Sequence, residues 1–152
     1  MRFINGVLFL GVSSIAWGLN IPKAVSFKST PVTVEADKTS EVKLLFSIAT
    51  GMHIQANPSD PPLIPTEIAL TPVKNIEPFS PVYPEGHKTK ITSIGKEIST
   101  YENQLEVKIP LKVAKNASNG KVEGTIRYQA CDSSVCYPPD KISFSFPVKI
   151  KK

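Results

Sequence analysis

Tyr128-Gln-Ala-Cys131-Asp-Ser-Ser-Val-Cys136-Tyr-Pro-Pro139 holds the only two cysteines of the chain, with four residues between them. Runs of two-residue alternation lie on both sides. Val122, Gly124, Ile126, Tyr128 and Ala130 fall on one face before the pair, and Ile142, Phe144, Phe146, Val148 and Ile150 fall on one face after it. Period two over that length predicts two half-buried strands. The cysteines are therefore expected to flank the tip of a β-hairpin, where their side chains can meet.

Outward from this hairpin the same signal repeats. Val42, Leu44, Phe46 and Ile48 alternate, as do Thr66, Ile68 and Leu70, and Leu105, Val107, Ile109, Leu111 and Val113. Residues 24–27 and 31–36 predict short first strands, with Pro31 suited to an edge. Residues 51–56 read as a continuation of the preceding strand, 57–62 as a proline-rich loop, 72–84 as irregular, and 87–94 as a short strand and turn. The sum is roughly seven to nine short strands with no amphipathic helix, an all-β pattern that fits an immunoglobulin-like antiparallel β-sandwich. The inter-sheet disulfide of immunoglobulin domains is not available, because both cysteines belong to one hairpin.

The beginning of the chain has a different character. Arg2 supplies a positive start, residues 7–17 are largely apolar, and Ala16 and Gly18 are small residues two apart. Residues 1–18 thus read as a cleaved secretory signal peptide, and residues 19–152 as one mature domain. The apolar run is short for a bilayer span, so no membrane span is expected in the mature chain. Secretion implies an oxidising compartment, in which an even number of cysteines can pair. Loss of Arg2 with the signal leaves 17 basic against 13 acidic residues, a net charge of +4, spread without a basic, aromatic-interleaved stripe. Nucleic acid is therefore not an expected partner.

Spacing alone leaves two readings of the cysteine pair. Closing so short a loop stabilises a fold by only roughly 2 kcal/mol in the chain-entropy account. A bridge of that kind is either a hairpin staple or a pair that opens and closes by exchange, for which a short, exposed bridge is an advantage. No Lys, Arg or His lies inside the loop, and Asp132 adjoins Cys131, so neither thiolate is strongly favoured by its sequence neighbours. Tyr137 and Pro138 read as an apolar rim around the sulfurs. Tyr128 could join that rim or serve as a core residue of its strand. Met52, His53 and His87 share no ligand spacing with the cysteines, so no metal and no cofactor is expected. Glu67 and Glu102 lack the nucleophile and histidine that a hydrolase would need.

The stretch 128–139 resembles the active-site hairpin of the N-terminal periplasmic domain of the thiol:disulfide interchange protein DsbD. Gly51-Met-His-Ile-Gln-Ala-Asn-Pro58, Leu63-Ile-Pro-Thr-Glu67, Tyr83-Pro84-Glu85-Gly86, Tyr101-Glu102 and Ile109-Pro110-Leu111 resemble further pieces of that domain, in its order. The resemblance implies an immunoglobulin-like sandwich that carries reducing equivalents in the periplasm. Cys131 and Cys136 would be the redox pair, with Cys136 forming the mixed disulfide and Cys131 resolving it. Implied partners are thioredoxin-like periplasmic proteins, including disulfide isomerases and cytochrome c maturation thioredoxins. Because the chain stops at Lys152, a separately encoded membrane electron transporter is expected to supply electrons. Members of the family can shield the pair with an aromatic-bearing loop. The corresponding residues here, 90–95, hold no aromatic, so Ile91 or Ile94 is expected to cover the sulfurs less completely than that aromatic does. The alternative reading is a secreted immunoglobulin-like binding module with a structural hairpin disulfide.

Overall fold

The computed structural model describes residues 22–152; the segment read as a signal peptide lies outside them. The described chain is all-β. Its strands are β1 (Val25–Phe27), β2 (Val32–Glu35), β3 (Lys38–Ile48), β4 (His53–Gln55), β5 (Glu67–Leu70) and β6 (Ile76–Pro78). They are followed by β7 (His87–Lys90), β8 (Glu97–Glu102), β9 (Gln104–Val113), β10 (Gly120–Tyr128), β11 (Ala130–Cys131) and β12 (Asp140–Lys151).

Three sheets form, in the orders β1-β3-β9-β6, β2-β12-β10-β5 and β11-β4-β8-β7. The first two are the layers of an immunoglobulin-like sandwich. Their inner faces carry the residues picked out by alternation: Leu44 and Phe46 from β3, Leu105, Val107 and Ile109 from β9, Val122 and Ile126 from β10, and Phe144 and Phe146 from β12, all buried. Phe27, Phe46 and Phe144 meet with ring centroids 4.9–5.1 Å apart. Such aromatic packing adds about 0.5–1.5 kcal/mol per pair beyond area burial. The sandwich is not wholly antiparallel, because β12 runs parallel to β2 from Val148↔Val32 to Lys151↔Glu35.

The third sheet is where the structure departs most from the sequence expectations. Residues 53–55 do not continue β3. Gly51 adopts φ +77° and the Met52 amide donates to Ala49 O at 2.9 Å, so the chain turns and β4 enters another sheet. Strands β6 and β8 were not anticipated, and the twelve strands among the described residues exceed the expected number. The reason for β8 is visible in its burial: Ile98, Thr100 and Tyr101 are all buried, so both faces are covered and no clean alternation marks it. β6 is three residues long and begins after Asn75, at φ 67°.

Candidate functional site

The β10–β12 hairpin ends at the pair Tyr128↔Asp140. The chain does not turn there. Residues 129–139 leave the hairpin, and β11 pairs with β4 through Ala130↔Ile54 and Cys131↔His53. The cysteines therefore sit at the edge of the third sheet rather than at a free hairpin tip. Cys131 and Cys136 are bonded, with Cα atoms 3.9 Å apart. Two backbone hydrogen bonds bracket them: Asp132 N–H donates to Val135 O at 3.0 Å, and Tyr137 N–H donates to Ala130 O at 2.8 Å.

The loop between the sulfurs is built on Asp132. One carboxylate oxygen accepts from the amides of Ser134, at 2.7 Å, and Val135, at 2.8 Å. The other accepts from the Tyr137 hydroxyl at 2.7 Å. The Val135 amide, then the Tyr137 hydroxyl and the Ser134 amide, hold the Asp132 carboxyl below its ordinary pKa, because each donor favours the charged form. The same bond to Asp132 raises the Tyr137 hydroxyl. Asp132 is thus a local cap on the loop. The side chain of Gln129 adds a second tie: its Oε1 accepts from Ile64 N–H at 2.9 Å and its Nε2 donates to Tyr137 O at 3.3 Å.

The two sulfurs differ in surroundings. Cys131 is 0% exposed and packs with buried Ile91 and Ile98. Cys136 is partly exposed and, with Leu63 and Ile94, borders that cluster. The exposed bridge expected from the sequence is therefore half right: Cys131 is shut in by Ile91 and Ile98 although β11 is an edge strand, and Cys136 is only partly buried. Ile91 and Ile94 belong to a turn in which the Ile94 and Gly95 amides both donate to Ile91 O at 3.1 Å. That turn is tied to the cysteine loop by Thr92 N–H to Ser133 O and Ser93 N–H to Ser134 O, each 3.1 Å.

Of the two readings of Tyr128, rim or core, the structure has the core one. Tyr128 is 1% exposed and lies in the main core, so it offers no surface to a visitor. Its position on the inward face of β10 buries the ring, and its hydroxyl donates to Asp140 Oδ2 at 2.9 Å. Tyr137 is half-buried and Pro138 is exposed. Val135, 44% exposed beside Cys136, is the apolar residue that sequence reading passed over.

Gln55 was also missed. It is 0% exposed, and its Nε2 donates to Cys131 Sγ at 3.2 Å. The signal available was weak: His53 and Gln55 alternate with buried Ile54, which places them on one face of a strand, but only the pairing with β11 shows what that face meets. His53 has Glu102 Oε2 3.4 Å from its Nδ1. Among the described residues no group of three or more His, Cys, Asp or Glu is gathered to hold a metal ion.

Among solved structures the chain is similar to the DsbD N-terminal domain of Neisseria meningitidis in the reduced form, at 21% identity and TM-score 0.47, over 72% of this chain and 78% of that one. It is similar to the N-terminal periplasmic domain of ScsB from Proteus mirabilis at 19% identity and TM-score 0.47, over 73% of this chain and 42% of that one. A complex between the DsbD N-terminal and PilB N-terminal domains from Neisseria meningitidis matches at 20% identity and TM-score 0.44, over 69% and 73%. No curated protein matches the chain. The family described as thiol:disulfide interchange protein DsbD, N-terminal, matches residues 22–147. With a paired cysteine loop inside that span, the chain belongs to the DsbD N-terminal domain family.

Proposed function

We propose that this chain is a periplasmic thiol–disulfide exchange protein that passes two electrons through Cys131 and Cys136. The observation that carries the reading is the unequal exposure of a formed bond: Cys136 is partly exposed while Cys131 is fully buried. Membership of a family described as thiol:disulfide interchange supports it. In the reducing direction, the Cys136 thiolate attacks a partner disulfide, forms a mixed disulfide and releases one partner thiolate. Cys131 then attacks Cys136 Sγ, re-forms the internal bond and releases the second partner thiolate. A donor thiolate regenerates the pair by attacking Cys136 Sγ, with Cys131 leaving, and a second donor thiolate completes the two-electron transfer.

Partners of thioredoxin-like chemistry fit this surface, because the exposed residues around Cys136 are small or prolyl and uncharged: Ser133, Ser134, Val135, Pro138 and Pro139. The proposal includes export by residues 1–18, cleaved as a signal peptide, and a membrane electron transporter as the electron source. The deciding experiment is trapping. Cys131→Ser should accumulate a mixed disulfide through Cys136 with a thioredoxin-like protein, and Cys136→Ser should not. If neither variant is trapped and the wild-type bond resists a thioredoxin-like donor, the pair is a structural staple and the domain a secreted binding module.

A further inference from the structure

Three polar side chains are buried among the described residues: Gln55, Thr66 and Thr100. Both threonines have conventional partners. Thr66 Oγ1 donates to Gln55 O at 2.6 Å, and Thr100 Oγ1 lies 2.8 Å from Thr89 Oγ1. Gln55 is different. Its Nε2 is spent on Cys131 Sγ at 3.2 Å, and its Oε1 is buried with no hydrogen-bond partner.

A buried acceptor left unpaired is costly, and a disulfide sulfur is a weak acceptor without a hydrogen to give. The oxidised site therefore contains a carboxamide whose two ends are both poorly used. Reduction changes the sulfur and so changes the match. As Cys131 leaves, it carries negative charge, and an N–H donor already 3.2 Å away strengthens into a charge-assisted bond. Once protonated, Cys131 S–H can donate to Oε1 after the carboxamide turns over. The backbone of Gln55 is fixed meanwhile, since its N–H donates to Gln129 O at 3.1 Å and its carbonyl accepts from Thr66.

We infer that Gln55 stabilises the reduced form of Cys131, receiving the sulfur as it leaves Cys136 and weighting the pair toward the dithiol. This deepens the exchange reading above and rests on it. Gln55 touches a reacting atom but gains and loses no electron; it sets how readily the bond opens.

The test uses Gln55→Met, which keeps the length of the side chain and removes both polar ends. The wild-type pair is first equilibrated with glutathione and with a thioredoxin-like donor. Gln55→Met should then favour the disulfide about tenfold more than wild type, about 30 mV on the two-electron scale, and open more slowly with dithiothreitol. A readout in the unaltered protein guards against a variant that does not fold. In reduced wild type, the infrared S–H stretch of Cys131 should lie below that of a free thiol, separate from that of Cys136, with assignment by Cys136→Ser. Equal equilibrium constants for wild type and Gln55→Met, or an unshifted Cys131 S–H band, overturns the role of Gln55. Failure of the wild-type pair to exchange with any donor instead overturns the exchange reading itself.

Discussion

The backbone amide of Thr92 donates to the carbonyl of Ser133 at 3.1 Å, joining the turn that covers the sulfurs to the loop that contains them. Ser93 and Ser134 repeat the bond one residue on. Cover and cysteine loop are thus one hydrogen-bonded unit, and access to the bridge beyond the part of Cys136 already exposed depends on parting them.

Thr92 is the second residue of the turn closed by Ile94 N–H to Ile91 O, a position where proline fits. Thr92→Pro therefore removes the amide donor and leaves the turn. A net hydrogen bond of about 0.5–1.5 kcal/mol predicts roughly 2- to 10-fold faster reduction by dithiothreitol, followed by thiol release. An unchanged rate would mean that the cover is held by packing alone.

Packing is tested at Ile91, which is fully buried against Ile98 and Cys131. Ile91→Ala should lower stability by about 2–5 kcal/mol in urea titrations and admit small thiols faster. Thr92→Ala, at an exposed neighbour that keeps its amide, should do neither. A loss below about 1 kcal/mol at Ile91 would show that the cover collapses to refill the space.

The Asp132 cap predicts an acid limit for the loop. Its carboxyl lies below the ordinary value of 3.8 in the folded chain, so the contribution is full above that value and is lost as pH falls through the lower folded one. Amide exchange at Ser134 and Val135 should be slow at pH 5 and accelerate, relative to the rest of the domain, below pH 3.8. Asp132→Ala should show the fast exchange at every pH. Protection that does not change with acid would remove the carboxylate from the account of the loop.

Tyr128 predicts a limit at the other end of the scale. Burial, then the bond to Asp140 and its charge, push the hydroxyl from 10.0 up to about 12. The neutral form is favoured on folding, so the contribution is complete below pH 10 and is lost as pH rises toward 12. A gap of that size corresponds to roughly 2–3 kcal/mol. Urea midpoints should fall over that window in wild type and fall less in Tyr128→Phe. That variant should also be about 1–2 kcal/mol less stable at pH 7, having left Asp140 without its donor. Parallel pH profiles for the two proteins would exclude Tyr128 as the titrating group.

Much of this fold is legible in one dimension. β3, β9, β10 and β12 are long strands whose inner residues alternate with exposed ones, and alternation is a property of neighbours along the chain. The pairing of Cys131 with Cys136 is legible for the same reason, since the two lie within a few residues, whereas the Asp132 cap and its bond to the Tyr137 hydroxyl emerge only from the folded loop. β8 was hidden because both of its faces are covered, which removes the periodic signal. The sulfur that is shut in, the amide that touches it and the turn tied across it were decided by tertiary structure. Cys131, Gln55 and Thr92 come from three distant segments, and hydrogen bonds between segments leave no period in a sequence. Only the pairing of β11 with β4 and the closing of the turn over residues 133–134 bring them to one place.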